Sequence, residues 1–327
     1  MNPALVYARD LRVSFVSPER TVDVVRGVDV DLQAGETLCL LGESGSGKSV
    51  MLRALMGLNP AATTRLSGTL QVAGRDALAD GGRALRAMRG GTVSMIFQEP
   101  MTALDPVFTV GDQIAETIVR HEGVNWKTAR ARALSLIERV QVPSARRRMQ
   151  AYPHELSGGL RQRMMIAMAL SCRPKLLLAD EPTTALDASV QIQILTLLRE
   201  LQAEMGMGVI FVTHDLEVAA EIADRVMVMY AGRMVERGLV DDIMDEPLHP
   251  YTQGLMAATV LPGSAGARLE TIPGAPPRPE RPPPGCAFSP RCSRVVPACS
   301  LEVPAFARGA THDARCIRID ERAPRAR

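Results

Sequence analysis

Eight consecutive residues, Gly42-Glu43-Ser44-Gly45-Ser46-Gly47-Lys48-Ser49, gather glycine, hydroxyl and ammonium groups in the spacing GxxxxGK[ST]. Glycines at 42, 45 and 47 let consecutive backbone N–H groups, Ser44 among them, turn inward around phosphate oxygens, and a helix opening at Lys48 adds partial positive charge. Lys48 would then reach the β- and γ-phosphates of a nucleotide such as ATP, and the Ser49 hydroxyl would bind Mg2+. A chance glycine-serine turn has the same composition, but here the flanking residues decide. Such a loop needs an acidic partner for magnesium at the end of a second strand. Leu176-Leu177-Leu178-Ala179-Asp180-Glu181 supplies it: Asp180 to hold the metal through water, and Glu181 to polarise an attacking water as general base. Adjacent carboxylates after an apolar strand can also be a solvated strand end; the phosphate loop favours chemistry.

Two groups 131 positions apart can meet only if strands and helices bring them together. The apolar run Glu36 to Leu41 precedes the loop and a helical stretch from Lys48 to Met56 follows it, which is strand, phosphate loop and helix in order. Earlier, Leu11 to Phe15 and Val24 to Leu32 suit strands joined by turns. Residues 101–152 change character: Ile114, Ile118 and Val119, then Leu134, Ile137 and Val140, recur at helical spacing, with Pro143 stopping the second run. Strand-like runs return at Leu176 to Ala179, Val209 to Val212 and Val226 to Tyr230, with a helix-like stretch at Val190 to Met205. Alternating strands and helices predict an α/β fold with a mainly parallel sheet. From Ile272 to Gly285 seven prolines favour an extended spacer.

Composition narrows the function classes. With 46% hydrophobic and 23% charged residues in 327, the chain falls in the globular range, and disorder or fibrous structure drops out. A formal net charge of +2 does not resemble the footprint of a nucleic-acid binder, so no nucleic acid is expected as partner. Its apolar runs, such as Met164 to Cys172, fall far short of the roughly 20 residues of a membrane span. The N-terminal decapeptide meets a charge pair before any apolar stretch, which predicts a cytosolic chain. In a reducing cytosol, the clustering of Cys286, Cys292, Cys299 and Cys316 favours metal ligation over disulfides, whereas Cys39 and Cys172 sit in apolar runs expected in the core.

The segment Leu156-Ser157-Gly158-Gly159-Leu160-Arg161-Gln162-Arg163 resembles the signature sequence of the ATP-binding-cassette (ABC) ATPases. Ser157, Gly158 and Gly159 open a helix, a second anion site. The resemblance implies that this turn faces the γ-phosphate held by an opposite subunit; Leu160 stands where glutamine is common, a departure expected to tune function. Three further elements fall in the family's order. Gln98, in Ile96-Phe97-Gln98-Glu99-Pro100, resembles the Q-loop glutamine near magnesium and the attacking water. Asp187, in Ala185-Leu186-Asp187, resembles the D-loop aspartate that crosses the dimer interface, and His214, after the strand Val209 to Val212, resembles the switch histidine at the γ-phosphate. Phe15 resembles the aromatic that stacks on adenine; a core phenylalanine is the other reading. The resemblance covers roughly residues 5 to 245 and implies a P-loop NTPase core (1–100 and 153–245) with an antiparallel N-terminal β region, a helical subdomain (101–152), and a C-terminal extension (246–327).

The stretch His249-Pro250-Tyr251-Thr252, then Gly254-Leu255, the proline-rich spacer and the late cysteines resemble the ATPase subunits of dipeptide, oligopeptide and nickel importers. That implies a peripheral subunit on the cytoplasmic face of the cell membrane, working with a second, different ATPase chain, two membrane permeases and an extracytoplasmic binding protein. Peptide cargo is favoured over nickel, and a soluble ABC ATPase acting on ribosomes or DNA is the alternative of another class. The cysteines are separated by five, six and sixteen residues, unlike the short pairs of zinc ribbons. The resemblance links such a tail to an iron-sulfur cluster, and 4Fe-4S is the expectation, with tetrahedral zinc or four unligated thiols as alternatives.

Overall fold

The computed structural model describes residues 4–99, 103–184, 186–259, 271–302, 305–309 and 311–319, without the side chains of Asp80 and Arg308. Pro100 and Ala185, which flank the Gln98 and Asp187 motifs, lie outside the described residues, as does the expected boundary at 100/101.

Two sheets form the frame. Strands β1 (Val6–Val16) and β2 (Thr21–Leu32) pair antiparallel, and β4 (Thr64–Val72) and β5 (Arg75–Asp76) extend them in the order β2-β1-β4-β5. The second sheet has the order β11-β12-β10-β9-β3-β8-β7-β6. Its centre is parallel: β9 (Arg225–Tyr230), β3 (Thr37–Leu41), β8 (Gly208–Thr213), β7 (Leu176–Asp180) and β6 (Val93–Ile96). Every residue of β3, β7 and β8 is buried, as expected of strands covered on both faces. The antiparallel edge is β10 (Arg233–Leu239), β12 (Asp313–Ala314) and β11 (Ala307–Arg308).

Among the described residues, the bounded helices are α1 (Lys48–Leu55), α2 (Arg83–Met88), α3 (Val110–Glu122), α4 (Trp126–Arg139), α5 (Ala145–Arg148), α6 (Gly158–Leu170), α7 (Ala188–Met205), α8 (Leu216–Ile222), α9 (Val240–Asp245) and α10 (Pro250–Ala257). Local chemistry sets their ends. Thr109 and Asn125 accept hydrogen bonds from the Asp112 and Thr128 N–H groups to start α3 and α4, and Gly123 stops α3 at φ +69°. Helix α4 ends at Arg139, four residues short of Pro143, because the chain turns at Gln141 with φ +59°. Ile114, Ile118, Ala133 and Ile137 from α3 and α4 pack against Met165 and Ile166 of α6 in one core. A second core lies between the two sheets, around Leu11, Leu38, Leu52 and Leu70.

The segment beyond residue 245 packs against the core sheet. Helix α10 buries Tyr251 and Thr252, β12 pairs with β10, and Arg237 holds Asp313 at 2.8 Å. The proline-rich stretch forms no helix or strand, as its composition predicts, but it docks: the Arg26 guanidinium donates to the Pro279 carbonyl at 3.1 Å. Among the described residues no helix is long and apolar enough to cross a membrane.

Candidate functional site

The phosphate-loop segment leaves β3 at Leu41 and enters α1 at Lys48. Its glycines are sterically required where it passes over the end of β9. A Cβ on Gly42 (φ +153°) would lie 2.2 Å from the Met229 carbonyl oxygen, and one on Gly47 (φ +105°) would lie 3.0 Å from the Val24 carbonyl oxygen. Ser44 and Gly45 are exposed at the crest, and Gly45 has φ +79°. Lys48 is buried, its ammonium donating to the Gly42 carbonyl at 2.6 Å and the Glu43 carbonyl at 3.0 Å. Burial lowers its pKa against the opposing charges of Glu181 and Asp180. The loop's amides, its buried ammonium and the buried, unpartnered Ser46 hydroxyl suit a polyanion.

Asp180 closes β7 and accepts a hydrogen bond from the Ser49 hydroxyl at 2.8 Å, so the two groups suited to magnesium already touch. Burial raises the Asp180 pKa, opposed chiefly by that hydrogen bond. A bound divalent cation would offset the burial. Glu181 takes φ +46°, a conformation uncommon for a non-glycine residue, with its N–H donating to the Val212 carbonyl at 3.0 Å. This turn directs the carboxylate to three partners. Gln98 Nε2 donates to Glu181 Oε2 at 3.3 Å, His214 Nδ1 lies 3.3 Å from the same oxygen, and Thr184 Oγ1 donates to it at 3.1 Å. Gln98, Glu181 and His214 follow three neighbouring parallel strands, β6, β7 and β8, so the sheet order brings them together. Thr184 was not singled out in the sequence; its position three residues after Glu181 is the only local signal.

The remaining residues expected to contact nucleotide lie apart. Ser157 and Gly158 are exposed at the start of α6, and the Ser157 hydroxyl does not cap the helix. Ser157 is therefore accessible to a second protomer. A Cβ on Gly159 would lie 2.8 Å from Val190 Cγ1, so this glycine allows the turn to sit against α7. Half-buried Leu160 packs against the helical core. Asp187, at the start of α7, accepts from the Val190 N–H at 3.0 Å and the Ser189 hydroxyl at 2.7 Å. The Ser189 bond foremost lowers its pKa. Phe15, half-buried, belongs to the other sheet, opposite Val22 and Thr64.

Cys286, Cys292, Cys299 and Cys316 line one cavity of about 20 Å³, with His249 and Phe288 among its other walls. All four thiols are free. Backbone N–H groups of Arg294 and Arg318 donate to the sulfurs of Cys292 and Cys316, each at 3.4 Å, and burial raises the pKa of Cys286, Cys292 and Cys316. Among the described residues, no three His, Cys, Asp or Glu side chains form a group that could hold a metal ion. Of the two remaining cysteines, Cys39 is fully buried. Cys172 differs from expectation: it is half-buried just past the end of α6, its thiol 3.8 Å from the Thr117 carbonyl.

Comparisons with known proteins agree with this geometry. A family described as ABC transporter matches residues 25–184, and one described as oligopeptide/dipeptide transporter, C-terminal region, matches residues 235–299. The chain is 49% identical over 300 residues to the oligopeptide transport ATP-binding protein OppD of Salmonella typhimurium, covering 92% of this chain and 89% of that protein. It is 45% identical over 320 residues to the dipeptide transport ATP-binding protein DppD of Bacillus subtilis, covering 97% and 96%. Among solved structures, the ATP-binding cassette MJ0796, in a dimeric post-hydrolysis state bound to ADP and Pi, matches with a TM-score of 0.64 and 26% identity over 72% of this chain and 98% of that chain. A phosphate loop facing a paired carboxylate, a signature turn open to a second protomer and these likenesses have one reading: the chain belongs to the ABC transporter family, among the ATP-binding proteins with the oligopeptide/dipeptide C-terminal region.

Proposed function

We propose that the chain is the ATP-hydrolysing subunit of an importer that carries short peptides across the cytoplasmic membrane through separate permease subunits. The observation that carries this is the grouping of Gln98, Thr184 and His214 on the Glu181 carboxylate, one residue beyond the Asp180–Ser49 pair. Lys48 would exchange its two loop carbonyls for the β- and γ-phosphates. Mg2+, held by Ser49 with Asp180, would neutralise charge developing on the phosphates. Glu181 accepts a proton from the attacking water, while Gln98 and His214 orient that water. Phe15 would stack on the adenine.

Ser157, Gly158 and Gly159, with Asp187, would complete the site of a second ATPase chain, so closure of the pair converts phosphate contacts into motion. A second, different ATPase chain, two permeases and an extracytoplasmic binding protein form the assembly. The subunit works as a peripheral protein on the cytoplasmic face of the membrane, the helical segment 101–152 and Gln98 meeting the permeases. Residues 1–100 with 153–245 act as the nucleotide core and 246–327 as the extension. The relatives' names, oligopeptide and dipeptide transport, support peptides over nickel.

For the four C-terminal thiols the reading is a 4Fe-4S cluster over a single zinc ion, resting on their separation by five, six and sixteen residues, unlike the short pairs of zinc ribbons. Four free cysteines and two N–H···S bonds surround one apolar cavity, yet no group of three among the described residues is set to hold a metal ion. Anaerobically purified protein should be brown, with iron and acid-labile sulfide; a colourless sample with stoichiometric zinc would end the assignment. The transport reading is tested by ATP-dependent uptake in vesicles reconstituted with the whole complex. Uptake of short peptides is expected, and uptake of nickel with none of peptides would overturn it.

A further inference from the structure

The phosphate loop is bolted to the C-terminal segment through Glu43, the first variable residue of the loop. Its backbone N–H donates to the Tyr251 hydroxyl at 2.8 Å, and its carboxylate accepts a two-pronged contact from Arg291, at 2.7 and 3.1 Å. The Arg291 side chain is 5% exposed. It is fixed from its other side by the Pro273 carbonyl at 2.9 Å and lies 3.3 Å from the Tyr230 hydroxyl. The Tyr230, Tyr251 and Phe288 rings pack with centroids 4.6 to 5.5 Å apart beneath this contact. Cys292 directly follows Arg291, so the thiol-lined cavity and the phosphate loop share one anchored segment.

We propose that Arg291 is a positioning residue for the phosphate loop, through which the C-terminal segment sets the affinity for nucleotide. The proposal rests on the reading that MgATP binds this loop. Two features give the contact that role. A carboxylate at Glu43 places negative charge beside a triphosphate, and an arginine held in a fixed fork is suited to neutralise it. The Glu43 carbonyl, meanwhile, is one of the two acceptors that hold Lys48, so the orientation of this residue bears directly on the group meant for the phosphates. A contact that served only to fasten the tail would have no bearing on charge at the loop.

The experiment measures binding of a fluorescent ATP analogue with Mg2+ to the purified full chain, in four forms: wild type, Arg291→Met, Arg291→Lys, and Arg291→Met with Glu43→Gln. Arg291→Met should weaken binding roughly tenfold, because the carboxylate is left uncompensated near the phosphates. Adding Glu43→Gln should bring affinity back to within about threefold of wild type, since the repulsion goes with the charge. Arg291→Lys, which keeps charge but loses the fork, should fall between, and it carries the test if Arg291→Met does not fold. Equal affinity in every form would overturn the proposal, and so would a double variant as weak as Arg291→Met. Failure of the wild type itself to bind would instead overturn the nucleotide reading.

Discussion

Replacing Glu181 by glutamine keeps the side chain's shape and removes its charge and basicity. The Glu181 side chain is 14% exposed, and its Oε2 receives the Gln98 amide and the Thr184 hydroxyl beside His214 Nδ1. The glutamine Oε1 can accept the first two of these, so folding and nucleotide binding should change little. What is lost is the capacity to take a proton from the attacking water, a contribution of about 10² to 10⁴ in rate, equivalent to about 3 to 5 kcal/mol in the barrier. The assay is phosphate release at saturating MgATP by the complex assembled with either form, alongside nucleotide binding by each. A kcat loss of at least about 100-fold, with Kd within about threefold, is expected. Hydrolysis as fast as wild type would remove Glu181 from the role of base, and a parallel loss of binding would make it a structural residue.

Gly42→Ala would drive a methyl group to 2.2 Å from the Met229 carbonyl oxygen in a backbone conformation disfavoured for alanine, so the loop must shift. Nucleotide affinity should fall at least about tenfold while far-ultraviolet circular dichroism is retained, and unchanged affinity would show the loop to be more tolerant than its packing indicates. His249 is buried where its Nδ1 accepts the Tyr251 N–H, and burial drives its pKa down to about 4. The neutral form is therefore the one the fold holds: the stabilisation is complete above the unfolded value near 6.5 and is lost as pH falls toward 4, about 2 kcal/mol of it by pH 5. Unfolding free energies at pH 7.5 and 5 should differ more for wild type than for His249→Asn, which retains a capping acceptor; equal differences would argue against the histidine as the source.

The phosphate loop, the Asp180–Glu181 pair and the alternation of strands and helices were all legible in the sequence, because each depends on local chemistry. Glycines permit a tight turn wherever they stand, and apolar runs of five or six residues become strands between helices. The parallel core sheet follows from that alternation. Helix ends were less legible, since a turn at Gln141 ended α4 before Pro143 could.

Contacts between distant segments were decided by tertiary structure alone. The strand order β8-β7-β6 is what sets His214, Glu181 and Gln98 side by side, and the turn after β7 adds Thr184. No spacing in the chain announces that Arg291 reaches back 248 positions to Glu43, or that β12 extends the core sheet beyond β10. Residue types and local spacing state which chemistry the chain can perform; which groups perform it together depends on packing, because hydrogen bonds and ion pairs act over a few ångströms of space, whatever the length of chain between them.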